Sequence, residues 1–152
     1  MNFKELFAVS KVFISKPRYI LPTYRATIKT IKICDDLYKK EHHKNGKENA
    51  FRHALWNYLI CQKCFKISGS VEAARIWSDH FTGLHEKLSP NQKLAKAMDL
   101  HNNRCGQAIF RGNEIPTEEI IHLFQEKMKL AIKISKVEEI GKTKDKLVYI
   151  ED

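Results

Sequence analysis

The chain has 152 residues, 43% of them hydrophobic and 30% charged, an ordinary globular composition that argues against disorder and for one domain with a core of its own. Its 27 Lys and Arg against 18 Asp and Glu leave a net charge of +9, which favours an anionic partner: phosphate, nucleic acid, an acidic membrane or an acidic protein. No apolar run reaches the ~18–20 residues that a membrane span needs, and residues 1–14, with Lys4, Glu5 and Lys11 and no convincing cleavage site, do not read as a signal peptide.

Phe3, Leu6, Phe7, Val9, Val12 and Phe13 recur at near-helical spacing, so the chain opens on a short amphipathic helix that ends at Lys16-Pro17. Pro17 to Pro22 reads as a connector. Thr23 then caps a helix to about Lys40, with Ile28, Ile31 and Leu37 inward and Lys29, Lys32, Lys39 and Lys40 outward. His42 to Gly46 is a basic loop with an Asn-Gly turn signal, where solvent exposure explains His42 and His43.

A central helix runs from about Glu48 to Lys66 and stops at Ser68-Gly69-Ser70. Ser70 caps the next helix, whose apolar stripe is Val71, Ala74, Ile76 and Trp77, and which Thr82-Gly83 bends or ends before His85-Glu86. Ser89-Pro90-Asn91-Gln92 has the pattern of a capping box with Pro at the first helical position. That helix continues to Gly112-Asn113, and Thr117 caps a last helix to about Val137. Residues 146–150 form one short strand or pack down. The expected fold is an all-α, single-domain bundle of five to six helices. Residues 1–22 are an N-terminal segment and connector, 23–140 the helical domain and 141–152 a charged tail.

Four cysteines, Cys34, Cys61, Cys64 and Cys105, sit in a chain of this size without a secretory signal, so a reducing compartment and structural thiols are expected. The Cys61-x-x-Cys64 pair lies in a helical pattern and has no second pair to complete a zinc site.

The polar chemistry is concentrated in three places. At 100° per residue Asn49, Arg52, His53, Trp56 and Asn57 share one side of the central helix, with Phe51, Ala54, Leu55, Tyr58 and Leu59 on the other. His85-Glu86 is the second, and Asp99, Asn102 and Asn103, on one helical face, are the third. Three helices that converge with such groups can build a metal site or an acid/base pair. His53, His85, Glu86 and Asp99 offer donors for a divalent ion, Zn²⁺ first, although no dedicated ligand motif is present. Without a metal, His53 or His85 serves as general base, oriented by Glu86 or Asp99, while Arg52, Asn57, Asn102 and Asn103 hold an anionic group and Trp56 lines the cleft. The plain structural alternative makes Arg52–Asp99 and His53–Glu86 buried ion pairs that tie helices together. Gly106, seven residues after Asp99, calls for a packing reason, such as close approach of a neighbouring helix.

The order of these motifs, Gly46-x-x-Asn-Ala-Phe-Arg-His-Ala-x-Trp-Asn57, then His85-Glu86, then Met98-Asp-Leu-His-Asn-Asn103 with Gly106, resembles an uncharacterised bacterial domain family found in phage-linked and toxin-like proteins. Its members often carry Asp where this chain has Asn49, and Gly where it has Lys47-Glu48. The resemblance implies a small bacterial effector, cytoplasmic in the producing cell or exported by a leaderless route, with an immunity protein or secretion machinery as partner and residues 1–16 as a docking segment.

The expected activity is hydrolysis of a phosphodiester or ester bond in an anionic substrate. Phospholipid stands ahead of nucleic acid by analogy with zinc phospholipases, which are helical bundles with His, Asp and Glu donors. A nuclease would need a basic track, for which Lys39, Lys40, Lys44 and Lys47 are available. The alternative is a non-enzymatic secreted adaptor or interaction module whose polar cluster is structural.

Overall fold

The computed structural model describes residues 10–151. The chain is an all-α bundle. Helix α1, described over residues 10–15, is followed by a 3₁₀ turn Pro17–Tyr19 and then α2 (Ile20–Tyr38), α3 (Lys47–Ser68), α4 (Val71–Leu88), α5 (Lys93–Ile109) and α6 (Thr117–Lys129). Two short strands, β1 (Ile132–Lys133) and β2 (Val148–Tyr149), pair in parallel with Ile132 opposite Val148.

Helix α3 is the axis of the bundle and touches α2, α4, α5 and α6. Its two faces are both covered: Phe51, Ala54, Leu55 and Tyr58 are buried on one, and Asn49, His53 and Asn57 on the other. Gly46 begins it in extended conformation, and Gly69 ends it at φ 65°, with its N–H on Phe65 O at 2.8 Å. That left-handed cap is one that glycine takes at little cost. Ser70 caps α4 as its position suggests, its hydroxyl accepting from Ala73 N–H at 3.1 Å.

Helix α2 differs from its expected form at three points. It starts at Ile20, so Pro22 stands in the first turn, where no intrahelical donor is lost. Thr23 is inside the helix rather than its cap, and Ile28, Ile31 and Leu37 face solvent. The inward face is small and polar instead: Thr23, Ala26, Thr30 and Cys34. Each threonine hydroxyl bonds back to a carbonyl four residues earlier, Thr23 to Tyr19 and Thr30 to Ala26. The indoles of Trp77 and Trp56 donate to Thr23 and Thr27, both at 2.8 Å. Threonines that spend their polarity in this way pack as compactly as apolar residues, which leaves the bulkier isoleucines outside.

Thr82-Gly83 does not interrupt α4, which carries His85 and Glu86 in its last turn. Ile76, expected in its apolar stripe, is exposed. The capping-box pattern at Ser89 is not used: α5 begins at Lys93 after Gln92, and Ser89 Oγ accepts only from Asn91 N–H, at 3.4 Å. Thr117 does not cap α6 but accepts from Lys29 Nζ at 2.6 Å. Helix α6 stops at Lys129 rather than near Val137, because Ile132 N–H is taken by Leu147 O at 2.9 Å in the strand pair. Leu147, Val148 and Tyr149 thereby join the core.

Helices α3 and α5 meet at Gly106. A Cβ there would lie 2.0 Å from Ala54 O, so only glycine admits this approach, and it brings His53 and Asn57 within reach of Asp99 and Asn103. All four cysteines are buried and unpaired, and burial pushes the Cys34 and Cys61 thiols up to about 12. The expected amphipathic helix from Phe3 falls largely on residues outside those described.

Candidate functional site

His53 lies at the meeting point of α3, α4 and α5 and is buried. Its Nδ1 is 2.9 Å from Asn103 Oδ1, a contact that requires Nδ1 to donate. Its Nε2 is 3.1 Å from Arg52 Nη2, where the ring accepts. The imidazole in this network is therefore neutral and protonated on Nδ1. Glu86 Oε1 is 3.6 Å from Nδ1 and Asp99 Oδ1 is 3.3 Å from Nε2. Asp99 also accepts from Asn49 at 3.2 Å and from Asn91 at 3.4 Å.

The electrostatics follow from burial. Loss of water raises the Glu86 carboxyl, and the charge of Asp99 raises it further. Burial also raises Asp99, against the pull of Arg52. His53 is pushed down to about 3 by burial and then by the Arg52 charge. Burial thus favours the uncharged form of each group, the carboxyls protonated and the ring neutral.

Beneath this group lies an amide network centred on Asn57. Asn57 donates to Asn103 Oδ1 at 2.7 Å and to His53 O at 3.0 Å. Its own Oδ1 receives Ser78 at 2.8 Å, Thr82 at 3.0 Å and Gln107 at 2.8 Å. Asn102 faces elsewhere: its amide donates to Val148 O and accepts from Val148 N–H, both at 2.9 Å, and so pins β2 onto α5. Asn57, Asn102 and Asn103, expected to hold an anionic group, are buried. The amides of Asn57 and Asn102 bond to protein partners, while Asn103 Nδ2 is buried with no partner among the described residues.

A cleft of about 200 Å³ opens above His53. Its walls are Thr27, Thr30 and Ile31 of α2, His42 and His43, Arg52 and Trp56, and His85. Of the expected site residues, Arg52, His53, Trp56 and His85 face this space, while Glu86 and Asp99 stand behind His53. His85 stands apart from the converging carboxyls, its ring set edge-on to Trp56 at 5.3 Å. Arg52 spans the floor, with Nη1 3.3 Å from His43 Nδ1 and Nη2 on His53.

His53, Glu86 and Asp99 place one potential ligand atom each within 4.8 Å of one another. One imidazole nitrogen and two carboxylates suit a divalent ion chemically. Glu86 Oε1 and Asn49 Oδ1 are buried with no hydrogen-bond partner among the described residues, and so is the Asn103 Nδ2 donor. Asp35, His42 and His43 form a second group of the same kind. His42, expected in solvent, is fully buried, with Nε2 2.8 Å from Asp35 Oδ1. The 3₁₀ turn Glu41–His43 folds the loop back between α2 and α3.

Asn91, Asp35 and the α2 wall were missing from the sequence-based site. Thr23, Thr27 and Thr30, at helical spacing on one face, are the signal that could have revealed that wall.

Residues 10–132 match the family described as Domain of unknown function (DUF6973). The chain belongs to that family. The matched span contains every residue named in the His53 cluster and its cleft. No curated protein and no solved structure matches the chain.

Proposed function

We propose that this chain is a small hydrolase acting on a phosphodiester or ester bond of an anionic substrate, phospholipid ahead of nucleic acid, and that it serves as a bacterial effector. The reading rests on one observation above all: Arg52 is held at the floor of an open cleft between two neutral imidazoles, with a buried carboxyl pair behind one of them. An anionic group entering the cleft would take the Arg52 donors now given to His43 and His53. With its charge compensated, Arg52 would depress His53 less, although the larger effect of burial would remain.

His53 Nε2 then takes a proton from water as the water oxygen attacks the ester carbon or phosphorus. The resulting imidazolium is stabilised by Asp99 and Glu86 and returns the proton to the leaving oxygen. In the metal-assisted alternative a divalent ion, Zn²⁺ first, would be held by His53, Glu86 and Asp99 and would supply Lewis-acid polarisation, with His53 a ligand and not the base.

Phospholipid is preferred because Ile31 and Trp56 give the cleft an apolar wall beside its histidines and Arg52, and because the lysines of the nuclease variant are partly spent. Lys44 pairs with Glu41 at 2.8 Å, and Lys47 lies over the Tyr149 ring at 5.1 Å. A non-enzymatic module is the second reading, favoured by the Asn57 network, which accounts for part of the polar cluster by packing alone.

The test is turnover of anionic phospholipid vesicles, RNA and DNA, with chelator or with added Zn²⁺, by wild type and His53→Ala. The expected result is lipid cleavage reduced by about 10²–10⁴-fold in the variant. Absence of turnover by folded wild type on all three substrates under both conditions would overturn the reading in favour of the module.

A further inference from the structure

We propose that the outer face of α2, together with the exposed end of α1, docks the protein on an anionic lipid bilayer and sets the mouth of the cleft at its surface. Leu21, Tyr24, Ile28 and Ile31 are 53%, 61%, 48% and 41% exposed. Their spacing of three, four and three residues places them in one stripe along the helix. Phe13 and Ile14, just upstream, are 38% and 78% exposed.

This apolar surface is continuous with the site. Ile31 is both the last residue of the stripe and a wall of the cleft. Phe13 meets the Phe81 ring, which in turn packs on Trp56 at the opposite wall.

The charge around the stripe selects the occupant. Residues 10–33 contain six basic side chains and no acidic one, and Lys11, Lys16, Arg18, Arg25 and Lys32 are exposed. A basic amphipathic helix with an aromatic in its apolar face has the composition of an interfacial segment, with long cationic side chains reaching headgroup phosphates. A second copy of the chain would bring the same basic flank against this one. A nucleic acid would have no use for the isoleucines and leucine. No helix among the described residues is long and apolar enough to cross a membrane, so the contact is peripheral. Docking is independent of catalysis.

The test is co-sedimentation of the full chain with vesicles of phosphatidylglycerol and phosphatidylcholine in equal parts, and of phosphatidylcholine alone, at about 0.1 M salt. Wild type and His53→Ala are expected to bind the anionic vesicles equally. The double variant Leu21→Ser/Ile28→Ser and the single variant Tyr24→Ser are expected to bind about ten-fold and several-fold more weakly, with unchanged melting, and phosphatidylcholine alone to retain little protein. Failure of wild type to sediment with anionic vesicles overturns the proposal, as does wild-type binding by the folded double variant. A dimer in light scattering that the double variant dissociates overturns it in favour of a second copy. Binding by His53→Ala without turnover by wild type would leave docking standing while the hydrolase reading falls.

Discussion

Asn103 Oδ1 accepts both the Nδ1–H of His53, at 2.9 Å, and the Nδ2–H of Asn57, at 2.7 Å. One carbonyl on α5 therefore fixes the tautomer of the candidate base and ties it to the amide network beneath. Asn103→Ala strands two buried donors, and the expected loss is about 2–4 kcal/mol of unfolding free energy. Urea unfolding with unchanged slope measures it. A loss within about 0.5 kcal/mol would show that His53 finds another partner and that Asn103 does not orient it.

The class of fold and most of the residues of the cluster were legible because helical periodicity places Asn49, His53 and Asn57 on one face and Asp99 with Asn103 on another. What was not legible depends on contacts distant in sequence. Asn57 looked like an anion holder because nothing local shows that His53 O and Asn103 Oδ1 take its Nδ2 donors. His42 looked solvated because its partner Asp35 lies across a turn. The inward face of α2 was misjudged because size was read as burial, whereas its threonines satisfy their own hydroxyls and accept two indoles.

Gly106 offers the sharpest packing test. A methyl group at this position would overlap Ala54 O, a backbone atom that cannot rotate away. Gly106→Ala should cost about 3 kcal/mol or more, despite the ~1 kcal/mol that alanine normally gains over glycine in a helix. A variant as stable as wild type in thermal melting would mean that α3 and α5 can separate freely, and the geometry around His53 would lose its basis.

A divalent ion held by His53, Glu86 and Asp99 would stabilise the fold by mass action. Chelator-treated protein given Zn²⁺ at about a hundred times the dissociation constant should gain about 2.7 kcal/mol. Asp99→Asn should lose most of that gain while still folding, since the amide keeps the shape and one acceptor. Equal shifts in wild type and Asp99→Asn would place the ion elsewhere, with Asp35, His42 and His43 the next group to substitute.

Glu86 makes a prediction about pH whose sign is set by its burial. Its folded pKa lies above the ordinary value of 4.5, raised by desolvation and by the charge of Asp99. The folded state therefore holds the proton more tightly than the unfolded chain. The resulting stabilisation is complete below that ordinary value and is lost as pH rises through the folded value. Glu86→Gln keeps the shape and never ionises, so the variant should gain on wild type between about pH 5 and about pH 8, by at most ~1.4 kcal/mol per pH unit. His53 acts in the opposite direction: its folded value is depressed to about 3 from 6.5, so its contribution is present above 6.5 and lost as pH falls. With that ring present in both proteins, the difference between their stability curves reports chiefly the carboxyl. Curves that remain parallel across the range would mean that Glu86 is ionised in the fold throughout. The proton would then belong on the imidazole, and His53 would be the acid of the pair rather than its base.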